Sequence, residues 1–239
     1  MQIDNILVSS ARSGTNYFLS VFQKICPDAW VAKEIFRQGG DSLALQVALL
    51  GGNENDLLDS VKDDPLLHWQ NIVSSCAAEN RVALAKVFYY HQPKSSPLWA
   101  HFRNNSKVIH LIRRNQFDVF VSNLIAQQTG KWQQFGLNEK GIDIKPIHID
   151  KNSFTAFLEN QQMYIEWMRA LFVNADYTEV FYEDLASSTE ICARSIADIY
   201  GLKTNISDIS IELTKQKTRS NADLVSNYAD VMEMDRKYF

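Results

Sequence analysis

The segment Ser9-Ser10-Ala11-Arg12-Ser13-Gly14-Thr15-Asn16 puts a guanidinium, several hydroxyls and a glycine into eight consecutive positions. It follows the apolar run Ile6, Leu7, Val8 and precedes Tyr17, Phe18, Val21, Phe22 and Ile25, which recur at helical spacing until Pro27. A strand, a small-residue turn and a helix start in that order present unpaired backbone N–H groups and a helix dipole, both of which favour an anion. Gly14 lets the main chain approach a ligand, Ser13 and Thr15 offer hydroxyl donors, and Arg12 supplies a fixed charge. The segment therefore reads as a phosphate cradle, with an ordinary capped strand-to-helix turn as the other reading. The GxxxxGK[ST] spacing and its lysine are missing, which disfavours ATP chemistry.

Elements further along the chain must hold that cradle. Val82–Phe88 and Lys107–Ile112 have the length and apolar content of buried strands, and the second is followed by a helical pattern through Phe117, Val121, Leu124 and Ile125. The spacing predicts a helix over 153–173, a short strand over Thr178–Tyr182 and a helix over Ser188–Tyr200 that stops at Gly201. Alternating strands and helices imply an α/β fold: a central parallel β-sheet flanked by helices on both faces. Residues 130–152, with Gly130, Gly136, Gly141 and Pro146, have the composition of a long surface loop.

A chain of 239 residues, 46% hydrophobic, can bury one substantial core, so a single domain over 1–239 is expected. Cys26, Cys76 and Cys192 are far apart and form no CxxC, which fits a reducing cytoplasm and gives no metal-ligand spacing. No charged segment leads into a long apolar run, and no stretch approaches the roughly 20 apolar residues that span a bilayer, so neither an export signal nor a membrane span is expected. A net charge of −4 excludes nucleic-acid binding through a general positive field, and an anionic ligand must be held locally. Basic residues gather only at Arg12, at Arg113 with Arg114, and at Lys215, Lys217 and Arg219.

The SSARSGTN segment resembles the 5′-phosphosulfate loop of sulfotransferases that use 3′-phosphoadenosine 5′-phosphosulfate (PAPS), in the RSGT form of carbohydrate and bacterial members. Two further motifs follow in order. Arg114 and Ser122, within IHLIRRNQFDVFVS, are similar to the family's strand-ending arginine and the serine eight positions later, a pair expected to face one 3′-phosphate. Tyr182-Glu183-Asp184-Leu185 resembles the family's YEDL, whose tyrosine lies against the adenine. The closing segment KQKTRSNADLVSNY is similar to the one whose basic residues, here Lys215 and Arg219, help cover the nucleotide. The resemblance implies a P-loop-like sulfotransferase fold, PAPS as cofactor with adenosine 3′,5′-bisphosphate as its product, no metal, and nucleotide contacts from Arg12, Ser13, Gly14, Thr15, Asn16, Arg114, Ser122, Tyr182, Lys215 and Arg219. The family's proline is replaced by Gln116, and Arg12 stands where many cytosolic members carry lysine, which points away from the steroid and phenol branch.

Sulfuryl transfer to a hydroxyl needs a base and positive charge on the leaving phosphate. The candidate bases are Glu34, His91 and His68. Glu34 follows Arg12 by 22 positions, the interval of the catalytic glutamate in the glycosaminoglycan sulfotransferases that this chain resembles, and it is preferred. His91 and Lys86 resemble the histidine and lysine of the cytosolic enzymes' KTH segment, at longer spacing. TGKW, ending at Trp132, resembles bacterial trehalose- and lipopolysaccharide-type enzymes and implies a carbohydrate or glycolipid acceptor, whereas Trp167 sits in a core pattern. A kinase-like nucleotide enzyme and a non-catalytic nucleotide-binding relative are the other readings. The oligomeric state, a homodimer included, is open.

Overall fold

The structure, a computed structural model, describes residues 4–37, 39–130, 132, 145–202 and 220–235. Five strands form one sheet in the order β2-β3-β1-β4-β5: β1 Asp4–Ser9, β2 Trp30–Ala32, β3 Ala83–Phe88, β4 Lys107–Ile112 and β5 Tyr177–Phe181. All pairs are parallel, with Ile6 opposite Ala85 and Val8 opposite His110. β1 is buried at every position, as a central strand covered on both faces must be.

Alternate residues of each strand feed two cores. Ile6, Val8, Ala83, Ala85, Val87 and Val108 face α4 (Pro65–Ala78), α5 (Pro97–Asn105) and α7 (Lys151–Leu171), which contribute Trp69, Ile72, Trp99, Phe102 and Met168. Leu7, Leu84, Ile109 and Leu111 face α1 (Thr15–Ile25) and α9 (Thr189–Tyr200) through Phe18, Phe22, Cys192 and Ile196. This period-2 division is why these strands carry apolar residues at both odd and even positions. A third cluster joins α6 (Gln116–Thr129) to α7, to residues 147–149 and to the C-terminal helices α10 (Asn221–Leu224) and α11 (Tyr228–Asp235).

The parallel sheet and its two helical layers match the expected fold class. β2, with three residues, is too short to carry a periodic signal. The helices α2 (Leu43–Leu50), α3 (Glu54–Asp63), α4 and α5, together with the single turn α8 (Tyr182–Leu185), were also not read from the sequence. Within the expected 130–152 loop, 145–150 is strapped to the C-terminal segment by Ile147 N–H donating to Leu224 O and Ser226 N–H to Ile147 O. Among the described residues no helix is long and apolar enough to cross a membrane.

Candidate active site

The chain runs from β1 outward to β2 and β3, then crosses back to β4 and β5, so the loops after β1 and its neighbours splay apart. Open α/β sheets bind ligands at such a point, beyond the strand carboxyl ends. Here the opening is a cleft of about 1380 Å³.

One wall is the turn from β1 into α1. Arg12 (φ +65°) and Gly14 (φ +88°) both take the left-handed conformation, and they turn the chain sharply enough to expose the first N–H groups of α1. A Cβ on Gly14 would stand 2.2 Å from Cδ2 of Tyr182, so only glycine lets that ring pack on the loop. Arg12 Nε donates to Ser122 Oγ at 2.8 Å, and its Nη1 donates to the carbonyl of Trp132, a residue 51% exposed at the cleft. Ser13 is turned inward. Its side chain is buried and its Oγ is paired with Ser10 Oγ at 2.8 Å, so this hydroxyl braces the turn and does not line the cleft.

The second wall is the turn from β4 into α6. Arg113 lines the cleft with Ser122, and Arg114 does not. The Arg114 guanidinium makes a two-pronged pair with Asp184 at 2.6 and 2.9 Å, stacks 3.9 Å from the Phe181 ring centroid and borders a separate cavity of about 280 Å³. Glu183 accepts from Arg114 N–H and Asn115 N–H at 3.0 and 3.1 Å, holding the turn in this sense. Arg113 donates to Asp118 Oδ2 at 2.6 Å and to the carbonyl of Arg12 at 3.2 Å, and lies over the Tyr182 ring at 4.8 Å. Its Nε is buried, with no hydrogen-bond partner among the described residues. Burial, then the adjacent charge of Arg113, lowers the Arg12 guanidinium from its ordinary value. Two crowded guanidinium groups at the cleft make a site that an anion relieves.

The third wall carries Glu34, Lys86 and His91, brought from three separate segments. Glu34 Oε1 lies 2.9 Å from Lys86 Nζ, and Oε2 lies 3.7 Å from His91 Nε2. Lys86, fully buried within β3, also donates to Asn16 Oδ1 at 2.8 Å, which ties this trio to the first turn of α1. Burial lowers the Lys86 ammonium from its ordinary value, while the charge and hydrogen bond of Glu34 act in the opposite sense. His91 Nδ1 accepts from Phe88 N–H at 3.1 Å, and burial brings this imidazole down to about 4. The ring is therefore neutral at pH 7, with its proton on Nε2 toward Glu34. His68 is excluded from this trio. It is buried among helices, its nitrogens 3.2 Å from Ser60 Oγ and 2.7 Å from Gln46 Oε1, and does not line the cleft.

The cleft thus gathers Arg12, Gly14, Thr15, Asn16, Glu34, Lys86, His91, Ser122 and Tyr182. Lys215 and Arg219 lie outside the described residues. Trp167 packs edge-on against Trp99 at 5.1 Å, as its core pattern indicated. Sequence reasoning missed Arg113, Asp118 and Glu183 as participants. Asn115 caps α6 by accepting from Asp118 N–H at 2.8 Å, so the Asn-x-x-Asp helix start was a readable pointer to Asp118. Among the described residues no group of three or more His, Cys, Asp or Glu side chains is arranged to hold a metal ion.

The model of the sulfotransferase domain family matches residues 2–238. Among solved structures, the chain is similar to the sulfotransferase domain from the curacin biosynthetic pathway, at 14% identity over 92% of this chain and 82% of that one, with a TM-score of 0.52. It is also similar to the sulfotransferase domain of the Synechococcus PCC 7002 olefin synthase, at 13% identity, 96% and 84% coverage and a TM-score of 0.48. A mouse sulfotransferase complexed with PAP matches at 16% identity over 86% of this chain and 61% of that one, with a TM-score of 0.45. No curated protein matches the sequence.

Proposed function

The chain belongs to the sulfotransferase domain family, and on that premise we propose that it moves the sulfuryl group of PAPS to a hydroxyl of a carbohydrate or glycolipid, with Glu34 as general base and 1–239 acting as one domain. The observation that carries this reading is the Glu34–Lys86–Asn16 chain of contacts, 2.9 and 2.8 Å, which sets a carboxylate in the same cleft as the α1 N-terminus, Arg12 and Arg113.

The residues fit a nucleotide that carries two anionic ends. The α1 N-terminus, Arg12 and the Thr15 hydroxyl suit one, and Arg113 and Ser122 suit the other. Tyr182, which lines the cleft beside Gly14 and the Arg113 guanidinium, is the aromatic side chain suited to contact the base. Lys215 and Arg219 complete the nucleotide contacts in this reading. When bound, PAPS supplies an activated sulfuryl group whose departure leaves a 5′-phosphate.

The proton logic favours Glu34 over His91. His91 spends Nδ1 on a backbone N–H and presents an already protonated Nε2, so it has no lone pair to offer at neutral pH. It orients Glu34 instead. The Glu34 carboxylate can take the acceptor's proton on Oε2 while Lys86 keeps Oε1 in place. The half-exposed Trp132 at the cleft supports a sugar acceptor, since its indole can stack on a pyranose face. Calorimetric titration with adenosine 3′,5′-bisphosphate alongside ATP tests the reading without an acceptor. Tight binding of the bisphosphate and little affinity for ATP is the expected result, and the reverse preference would overturn it in favour of a kinase-like enzyme.

A further inference from the structure

The Glu34 side of the cleft holds one cation whose side chain has no hydrogen bond or ion pair among the described residues, Arg37. The other cations of the cleft are engaged: Lys86 with Glu34 and Asn16, Arg113 with Asp118, and Arg12 with Ser122 and Trp132. Arg37 is exposed and tied by its backbone to the base-bearing turn, its N–H donating to Glu34 O at 3.0 Å and its carbonyl accepting from Gly40 N–H at 2.8 Å. Its charge acts on both His91 and Tyr90. Tyr90 lines the same side, 56% exposed, with its ring edge-on to His91 at 5.4 Å. An aromatic ring and a guanidinium without a side-chain partner among the described residues, both lining the cleft with the base, form a subsite for an acceptor with an apolar or sugar-ring surface and a carboxylate, phosphate or sulfate.

We propose that the acceptor carries an anionic group close to the hydroxyl that is sulfated, and that Arg37 binds this group while Tyr90 packs against the adjoining ring. This rests on the sulfuryl-transfer reading and narrows it to acidic acceptors. Asp41, also at the cleft, disfavours a second negative charge on its side and limits where the anionic group can lie.

Transfer of radiolabelled sulfate from PAPS is measured for matched pairs that differ in charge: glucuronate against glucose, and 4-hydroxybenzoate against 4-hydroxybenzyl alcohol. Bisphosphate affinity is determined by calorimetry on the same protein. The expected result is a preference for the acidic member of at least about tenfold in kcat/KM. Arg37→Ala abolishes the preference with bisphosphate affinity within about twofold, and Arg37→Lys restores part of it. Equal use of neutral and acidic members, no transfer to either by protein that binds bisphosphate, or a preference that survives Arg37→Ala each overturns the proposal. Loss of bisphosphate affinity in Arg37→Ala also overturns it, because Arg37 would then serve the nucleotide. If the unmodified protein binds no bisphosphate, the sulfuryl-transfer reading fails and takes this inference with it.

Discussion

Replacing Arg113 by alanine should weaken adenosine 3′,5′-bisphosphate far more than the same change at Arg114. Arg113 lines the cleft, and each charge-assisted hydrogen bond from a guanidinium to a phosphate contributes ~1.5–3 kcal/mol. Removing it also strips Asp118 Oδ2 of its 2.6 Å partner and leaves that carboxylate near the bound anion. A loss of ~3 kcal/mol, about a hundredfold in Kd, is expected. Arg114→Ala breaks only a pair whose side chains are 47% and 59% exposed, which contributes ~0–1 kcal/mol to stability and nothing directly to the cleft. Its effect on Kd should stay within about threefold, since its charge is solvent-screened over roughly 10 Å. Calorimetry at fixed salt compares the two variants, and adding Asp118→Asn to Arg113→Ala should recover part of the loss, because a negative charge near the anion is then removed. A large loss in Arg114→Ala with little in Arg113→Ala would refute the reasoning and restore the pairing that the motif spacing suggested.

Glu34→Gln should leave bisphosphate affinity intact and lower turnover by roughly 10²–10⁴-fold; near-normal turnover would shift the base to His91. Gly14→Ala forces a Cβ to within 2.2 Å of the Tyr182 ring at a positive φ, so bisphosphate affinity should fall at least about tenfold and Tm by a few degrees, with unchanged values counting against the packing of Tyr182 on the loop. Acid should destabilise the protein beginning near pH 6.5. Burial holds the folded-state His91 at about 4, so the unfolded chain binds the proton first, and stability present above about pH 6.5 declines as pH falls toward 4. The His91 share is up to ~3 kcal/mol, and burial lowers His68 and His110 in the same sense. Urea unfolding at several pH values should show a shallower decline in His91→Gln than in the unmodified chain; identical slopes would remove His91 as the cause.

The cradle was legible because it is local: a strand, a left-handed glycine and a helix start are consecutive residues, and their chemistry follows from backbone geometry over eight positions. The strands β1, β3 and β4 and the helices α1, α6, α7 and α9 were legible for a related reason, since burial on two faces or one imposes its period on the residues directly. The meeting of Glu34, Lys86 and His91 was readable only as separate candidates, because nothing in their spacing states that a β3 lysine, a residue after β2 and a turn after β3 converge within 4 Å.

What only tertiary structure decided is which side each group faces and which partner claims it. Arg113 and Arg114 are adjacent just past a strand, so they point to opposite sides, and a one-residue change of register exchanges them. Glu183 and Asp184, about 70 positions away, fix the choice by clamping the backbone of the turn and pairing with Arg114. The His91 proton rests on Nε2 because Phe88 N–H occupies Nδ1, and His68 is a core residue because Ser60 and Gln46 enclose it. Sequence determines which groups are available and the local conformation that can present them. Direction, protonation and pairing come from long-range contacts, whose energies depend on neighbours that the chain's own order does not reveal.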